Sequence, residues 1–176
     1  MPKSFQRALI LIVLAVLIGS IFSVPTSVSS AAAKTYRIVI PSIGVDVPVI
    51  LARRTRTSWS VARLGTKYAG HLQGMAYPGE GGNIGIAAHV ELTPTKPGPF
   101  VNLNKLLPFD EIQIIYGDIT YRYTVTSSFA VKPTELAAVQ ATPYEVLTLI
   151  TCTSDGTNTA RGRYALRWIV RALPAY

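Results

Sequence analysis

The residues able to do chemistry are few: one cysteine, two histidines and a group of C-terminal arginines. Cys152 closes the apolar, β-branched run Leu147-Thr148-Leu149-Ile150-Thr151 and opens the polar stretch from Thr153 to Thr159. The run reads as a buried strand and the stretch as a loop, so the thiol sits where a substrate can reach it. A thiol attacks an acyl carbonyl only as thiolate, and a neighbouring imidazolium or guanidinium makes that form accessible. His71 and His89 are the candidate bases, and Arg161, Arg163 and Arg167 are the candidate donors to an oxyanion. Such a set cleaves an amide through a thioester and passes the acyl group to an amine or to water.

The surrounding pattern must position these groups. Asn83 to Val90 is apolar and rich in small residues, a buried strand that carries His89 at its end. His71 falls in a stretch dense in glycine and proline, from Gly70 to Gly82, and reads as a solvated loop histidine or one at a cleft rim. Tyr36–Ile40 and Val45–Ile50 are extended runs, and Pro48 suggests an edge or a bulge in the second. Glu111–Tyr116 and Ile119–Val131 are predicted strands joined by a Gly117-Asp118 hairpin loop. Residues 91–99 read as a loop, and 51–70 as a basic, solvated loop or short helix. Phe100–Leu107 and Pro133–Val139 suit short helical turns, the latter with Thr134 as its cap. Seven or eight short strands with two or three brief helices predict an all-β barrel or sandwich.

Composition narrows the setting. The chain is 49% hydrophobic and 15% charged, enough for a sizeable core. Lys3 and Arg7 precede an uncharged apolar run, Ala8 to Val24, and the small residues Ala31-Ala32-Ala33 follow. Residues 1–33 therefore read as a secretory signal peptide or an N-terminal membrane anchor, and 34–176 as the exported domain. Residues 1–33 hold two of the 17 basic residues and no acidic one, leaving 15 basic and 9 acidic, a formal +6 that suits work near an anionic cell surface. The basic residues are scattered, which argues against a nucleic-acid partner. Metal-ligand spacing and phosphate-cradling glycine motifs are lacking, so no cofactor or metal is expected. An unpaired cysteine in an exported chain is inert, paired between chains, or a reactive thiol.

Four stretches together resemble one family, the sortases. Thr148-Leu149-Ile150-Thr151-Cys152 matches the family's TLxTC signature. Asn83 to His89 is similar to its strand ending in the catalytic histidine, with Ala88 where the family usually has glycine. Arg37 to Val45 looks like its opening strand and turn, and Arg167 to Ala172 like its last strand, which begins with the catalytic arginine. The resemblance covers roughly residues 36–173. It implies a closed eight-stranded β-barrel and a bacterial cysteine transpeptidase that cuts an LPxTG-like sorting motif of secreted proteins. The amine acceptor would be a peptidoglycan precursor or a pilin. Cys152 would be the nucleophile, His89 the general acid, Arg167 the oxyanion stabiliser or backbone clamp, and Thr151 a residue that positions substrate. Arg161, nine residues after the cysteine, is the alternative arginine, and Arg163 comes third. Asp155 is read as structural rather than as a third member orienting His89. Two other readings stay open on the residues alone: a secreted thiol hydrolase, and a non-catalytic exported barrel that binds peptide or wall polymer. The family's site would lie on the extracytoplasmic face of the cell membrane, or in the wall if the signal is cleaved.

Overall fold

A computed structural model describes residues 34–153 and 164–175. Arg161, Arg163, Asp155 and the segment 1–33 lie outside the described residues. The strands are β1 (Tyr36–Ile40), β2 (Val45–Ala52), β3 (Ala69–Leu72), β4 (Asn83–Ala87), β5 (Glu91–Thr93), β6 (Lys96–Pro97), β7 (Glu111–Tyr116), β8 (Ile119–Val131), β9 (Val146–Thr153) and β10 (Leu166–Pro174). Eight of them close a barrel in the order β1-β2-β3-β4-β9-β10-β8-β7. Closure pairs β7 with β1, so every strand of the barrel has a neighbouring strand on each side. The eight-stranded barrel predicted from the sequence is the fold.

Strand alternation sorts side chains between two apolar clusters. Ile84 and Ile86 of β4, Leu147 and Leu149 of β9, and Val170 and Ala172 of β10 enter the barrel core. Burying such a side chain contributes about 1.5–3 kcal/mol. Residues of opposite parity face outward. There Ala87 and Ile150 join Ala52, Leu72, Trp59, Val61, Met75 and Val139 in a smaller cluster on the barrel's outer wall. Two irregular segments cover that wall: residues 53–64, and the 3-10 turn Leu136–Val139 between β8 and β9.

Several local expectations change. Pro48 lies in no bulge, and although β2 is an interior strand of the barrel, Pro48 is paired on one side only. It is opposite Arg37 at the end of the β1 ladder, and the β3 ladder begins one residue later at Val49, so its missing N–H falls where β2 changes partners. Residues 91–97 form the small hairpin β5–β6 rather than a plain loop. Thr134 does not cap its turn: Glu135 stands at the cap position, and no side chain bonds there. The β7–β8 hairpin turns at Gly117-Asp118 as expected, with Gly117 at a φ of 63°.

His71 is the largest departure. It belongs to β3 and is 1% exposed, not solvated in a loop. Its Nδ1 lies 3.0 Å from the Tyr36 hydroxyl, and its ring stacks on Tyr77 at 4.1 Å. The glycines and prolines that follow it hid a four-residue strand. Burial, the largest influence on it, lowers its pKa below 6.5. A base so depressed contributes stability that is complete above its unfolded pKa and is lost as pH falls through the folded value. Thermal stability should therefore drop below about pH 6.5, and His71→Gln should flatten that limb relative to wild type, as followed by melting curves.

Asn83, at the start of β4, fixes the 3-10 turn to the barrel. Its side-chain N–H groups donate to the carbonyls of Ala138 (2.9 Å) and Gln140 (2.8 Å), and its oxygen accepts from Thr148 Oγ1 at 2.6 Å. All of this lies in the wall beneath the turn, with Asn83 and Thr148 both buried. Asn83→Ala leaves the Thr148 hydroxyl buried without its partner and should cost about 2–3 kcal/mol in denaturant unfolding.

Candidate active site

β9 lies between a parallel neighbour, β4, and an antiparallel one, β10. The register sets Cys152 directly opposite Arg167, so both side chains leave the same face of the sheet. Ala87 faces Ile150 across the other ladder, and His89 follows two residues later. Two bonds extend that alignment past the strand end: Ala88 N–H donates to the Ile150 carbonyl at 3.1 Å, and Thr151 Oγ1 donates to the Ala88 carbonyl at 2.9 Å. Cys152, His89 and Arg167 thereby reach the wall of one cavity of about 190 Å³. Its remaining lining is largely apolar, with Trp59, Val61, Leu136, Val139, Ile150 and Ile169 prominent. Thr151 also lies on this wall, although its hydroxyl is committed to Ala88.

Each group has a distinct environment. Burial pushes the Cys152 thiol above the ordinary range, and the Arg167 guanidinium pulls in the opposite direction. One Arg167 nitrogen donates to the carbonyls of Leu166 (3.0 Å) and Tyr164 (3.3 Å), which steadies the head group beside the thiol. His89 Nε2 lies 3.0 Å from the carbonyl of Val61. His89 is also enclosed from behind, since a Cβ at Gly98 would collide with the His89 backbone. The Tyr164 hydroxyl bonds to the Glu91 carboxylate, tying the residues just before β10 to the start of β5, which follows His89. Burial first, and Glu91 second, push that phenol up to about 12. His71 lies in the aromatic cluster with Tyr36 and Tyr77 and is not part of the cavity lining. Among the described residues no group of three or more His, Cys, Asp or Glu stands together to hold a metal ion.

The sequence patterns did not reveal Val61, Gly98, Asn83 or the Glu91–Tyr164 pair. Gly98, between two prolines, carried a visible signal of tight backbone. A carbonyl such as that of Val61 leaves none.

A closed barrel with a thiol, an imidazole and a guanidinium on one cleft wall has the form of a thiol-based acyl-transfer enzyme. Comparison with known proteins gives the particular family. The sortase domain model matches residues 38–175. Sortase C-1 from Actinomyces oris is 30% identical with a TM-score of 0.65, over 80% of this chain and 73% of that one. The Clostridium perfringens sortase D5 transpeptidase is 27% identical with a TM-score of 0.63, over 81% and 79% of the two chains. A pilus-related sortase C of Group B Streptococcus is 29% identical with a TM-score of 0.65, over 82% and 69%. A comparison with curated proteins finds no match. The chain belongs to the sortase family of cysteine transpeptidases. That membership sets aside the reading as a non-catalytic barrel. The family in general acts on substrates with sorting motifs and uses pilin or cell-wall acceptors.

The opposed effects on Cys152 generate a test. Replacing Arg167 by alanine removes the lowering influence and leaves burial alone. The pH–rate profile of Cys152 alkylation by iodoacetamide should then move to higher pH, and Arg167→Lys should restore part of the shift. An unchanged midpoint in Arg167→Ala would show that the guanidinium does not act on the thiol.

Proposed function

We propose that Cys152, His89 and Arg167 carry out transpeptidation on an LPxTG-like sorting motif of a secreted protein. The observation that supports this most directly is their convergence on one largely apolar cavity, with Cys152 and Arg167 opposed across a ladder. The Cys152 thiolate attacks the carbonyl carbon of the motif's threonine. The C–N bond to the next residue breaks, its nitrogen takes a proton from His89, and a thioester forms on Cys152. An acceptor amine then attacks the thioester and gives up a proton to the now neutral His89, a new amide forms, and the sulfur leaves as thiolate. Arg167, opposite Cys152 in the ladder, binds the oxyanion or holds the substrate backbone in this reading, which its register position supports. Thr151 shapes the substrate wall by holding Ala88, and with it the base of His89. The apolar lining suits the motif's aliphatic residue.

The acceptor is a peptidoglycan-precursor or pilin amine in this reading. The structural similarity to pilus-related sortase C supports the second. The basic-then-apolar segment 1–33 supports action at the outer face of a bacterial membrane, attached or released by cleavage. The intact mass of the mature protein distinguishes the two.

The deciding experiment incubates the purified protein with an LPxTG-type peptide library and an amine acceptor, with Cys152→Ala alongside. Mass spectrometry should show an acyl adduct on Cys152 and a ligated product, both abolished in Cys152→Ala. Release of the adduct to water alone, across a panel of amines, would make the enzyme a thiol hydrolase. Absence of any adduct would sink the nucleophile assignment.

A further inference from the structure

Residues 53–64 cross the outer wall as a strap, and most of its fixings lead to one residue. Arg54 N–H donates to the side-chain oxygen of Gln73 at 2.9 Å. The Trp59 indole N–H donates to the backbone oxygen of Gln73 at 3.0 Å. Gln73 is itself pinned to the end of β2, its N–H donating to the Ala52 carbonyl at 3.0 Å. Within the strap, Arg54 and Trp59 form an isolated antiparallel bridge, and Ser60 N–H donates to the Arg53 carbonyl at 2.8 Å. The strap thus arrives at Val61 with its course set, and the Val61 carbonyl meets His89 Nε2 at 3.0 Å.

A carbonyl oxygen has no proton to give, so Nε2 must carry the proton of that bond. The tautomer of a histidine is set by the bond its other nitrogen makes. With Nε2–H committed to Val61, the lone pair of neutral His89 is on Nδ1. The second proton of the imidazolium is on Nδ1 as well. Any proton that His89 exchanges with a substrate must pass through Nδ1.

We propose that Gln73 is a positioning residue of the active site: through the Trp59–Val61 strap it holds His89 as the Nε2–H tautomer and leaves Nδ1 to protonate the leaving amine. The second half rests on the reading of His89 as general acid. The first half stands on the strap geometry alone. A merely structural strap would cover the outer apolar cluster, and its loosening would change stability without changing which nitrogen of His89 bears the proton.

Two histidines in the whole chain make the test direct. Long-range nitrogen–proton NMR of the imidazoles reads each tautomer, and buried His71, bonded to Tyr36, reports whether the fold is intact. Wild-type His89 should be Nε2–H at a pH where it is neutral. Gln73→Ala should shift its tautomer ratio toward Nδ1–H, and lower kcat/KM for the ligation reaction, each by roughly 3- to 10-fold, the weight of one neutral hydrogen bond. Gln73→Glu keeps an acceptor for Arg54 N–H and should restore the wild-type ratio. If the His71 signals show that Gln73→Ala is misfolded, Trp59→Phe, which removes the indole donor, decides by the same reading. An Nδ1–H tautomer in the wild type, or an unchanged ratio in the folded variants, overturns the proposal. A shifted tautomer with His89→Ala still fully active would uphold the strap's hold on His89 and overturn His89 as the acid.

Discussion

Strand β9 is held by a parallel ladder on one side and an antiparallel ladder on the other, and its register decides what the cleft contains. Side chains alternate along a strand, so a slip of one residue would send Cys152 into the barrel and bring Thr151 out. Leu147 and Leu149 resist that slip, since both lie in the core and would have to exchange places with Thr148 and Ile150. The Thr148–Asn83 bond locks the strand's lower half, and the Thr151–Ala88 bond its upper end. Both fixings join β9 to β4, the strand that leads to His89. The core that stabilises the barrel and the ladder that aligns thiol, imidazole and guanidinium are therefore one structure.

The outer wall needs its covers for a different reason. Ile150, Ala87 and Leu72 would be apolar surface on a bare barrel. The strap with Trp59 and Val61, and the 3-10 turn with Val139, bury part of it and leave the cavity between them. The same apolar enclosure sets the chemistry. It raises the pKa of Cys152 by desolvation, and it gives the cleft walls with which an aliphatic side chain can pack.

Much of this was legible in the residues. The apolar runs around Leu149 and Ile86 marked buried strands, and the polar or small residues after them marked strand ends where Cys152 and His89 emerge. Alternation in Ile119–Val131 and the glycine at 117 gave the hairpin. What failed did so for physical causes. β3 is four residues long, too short for its period to show among neighbouring glycines and prolines, so buried His71 passed for a loop residue. Pro48 carried the usual signal of an edge, but β2 changes partners at that residue, which satisfies the same constraint inside a closed sheet. The strap's contacts run largely through backbone carbonyls, and a carbonyl is common to every residue type. Composition and spacing therefore carry no trace of the bond from His89 to Val61.

The cleft puts its charges under opposing influences. Desolvation pushes the Cys152 thiol upward and so disfavours the thiolate, which is the form reactive toward alkylation and oxidation. The same low-polarity surroundings strengthen any interaction between a thiolate and the guanidinium opposite it. Arg167 therefore does more for the small ionised population than it would in water, and its nitrogen bonds to Leu166 and Tyr164 hold the charge in place. The one apolar wall thus acts on the thiol in two opposed ways: it disfavours the free thiolate by desolvation, and it strengthens the guanidinium charge that favours it.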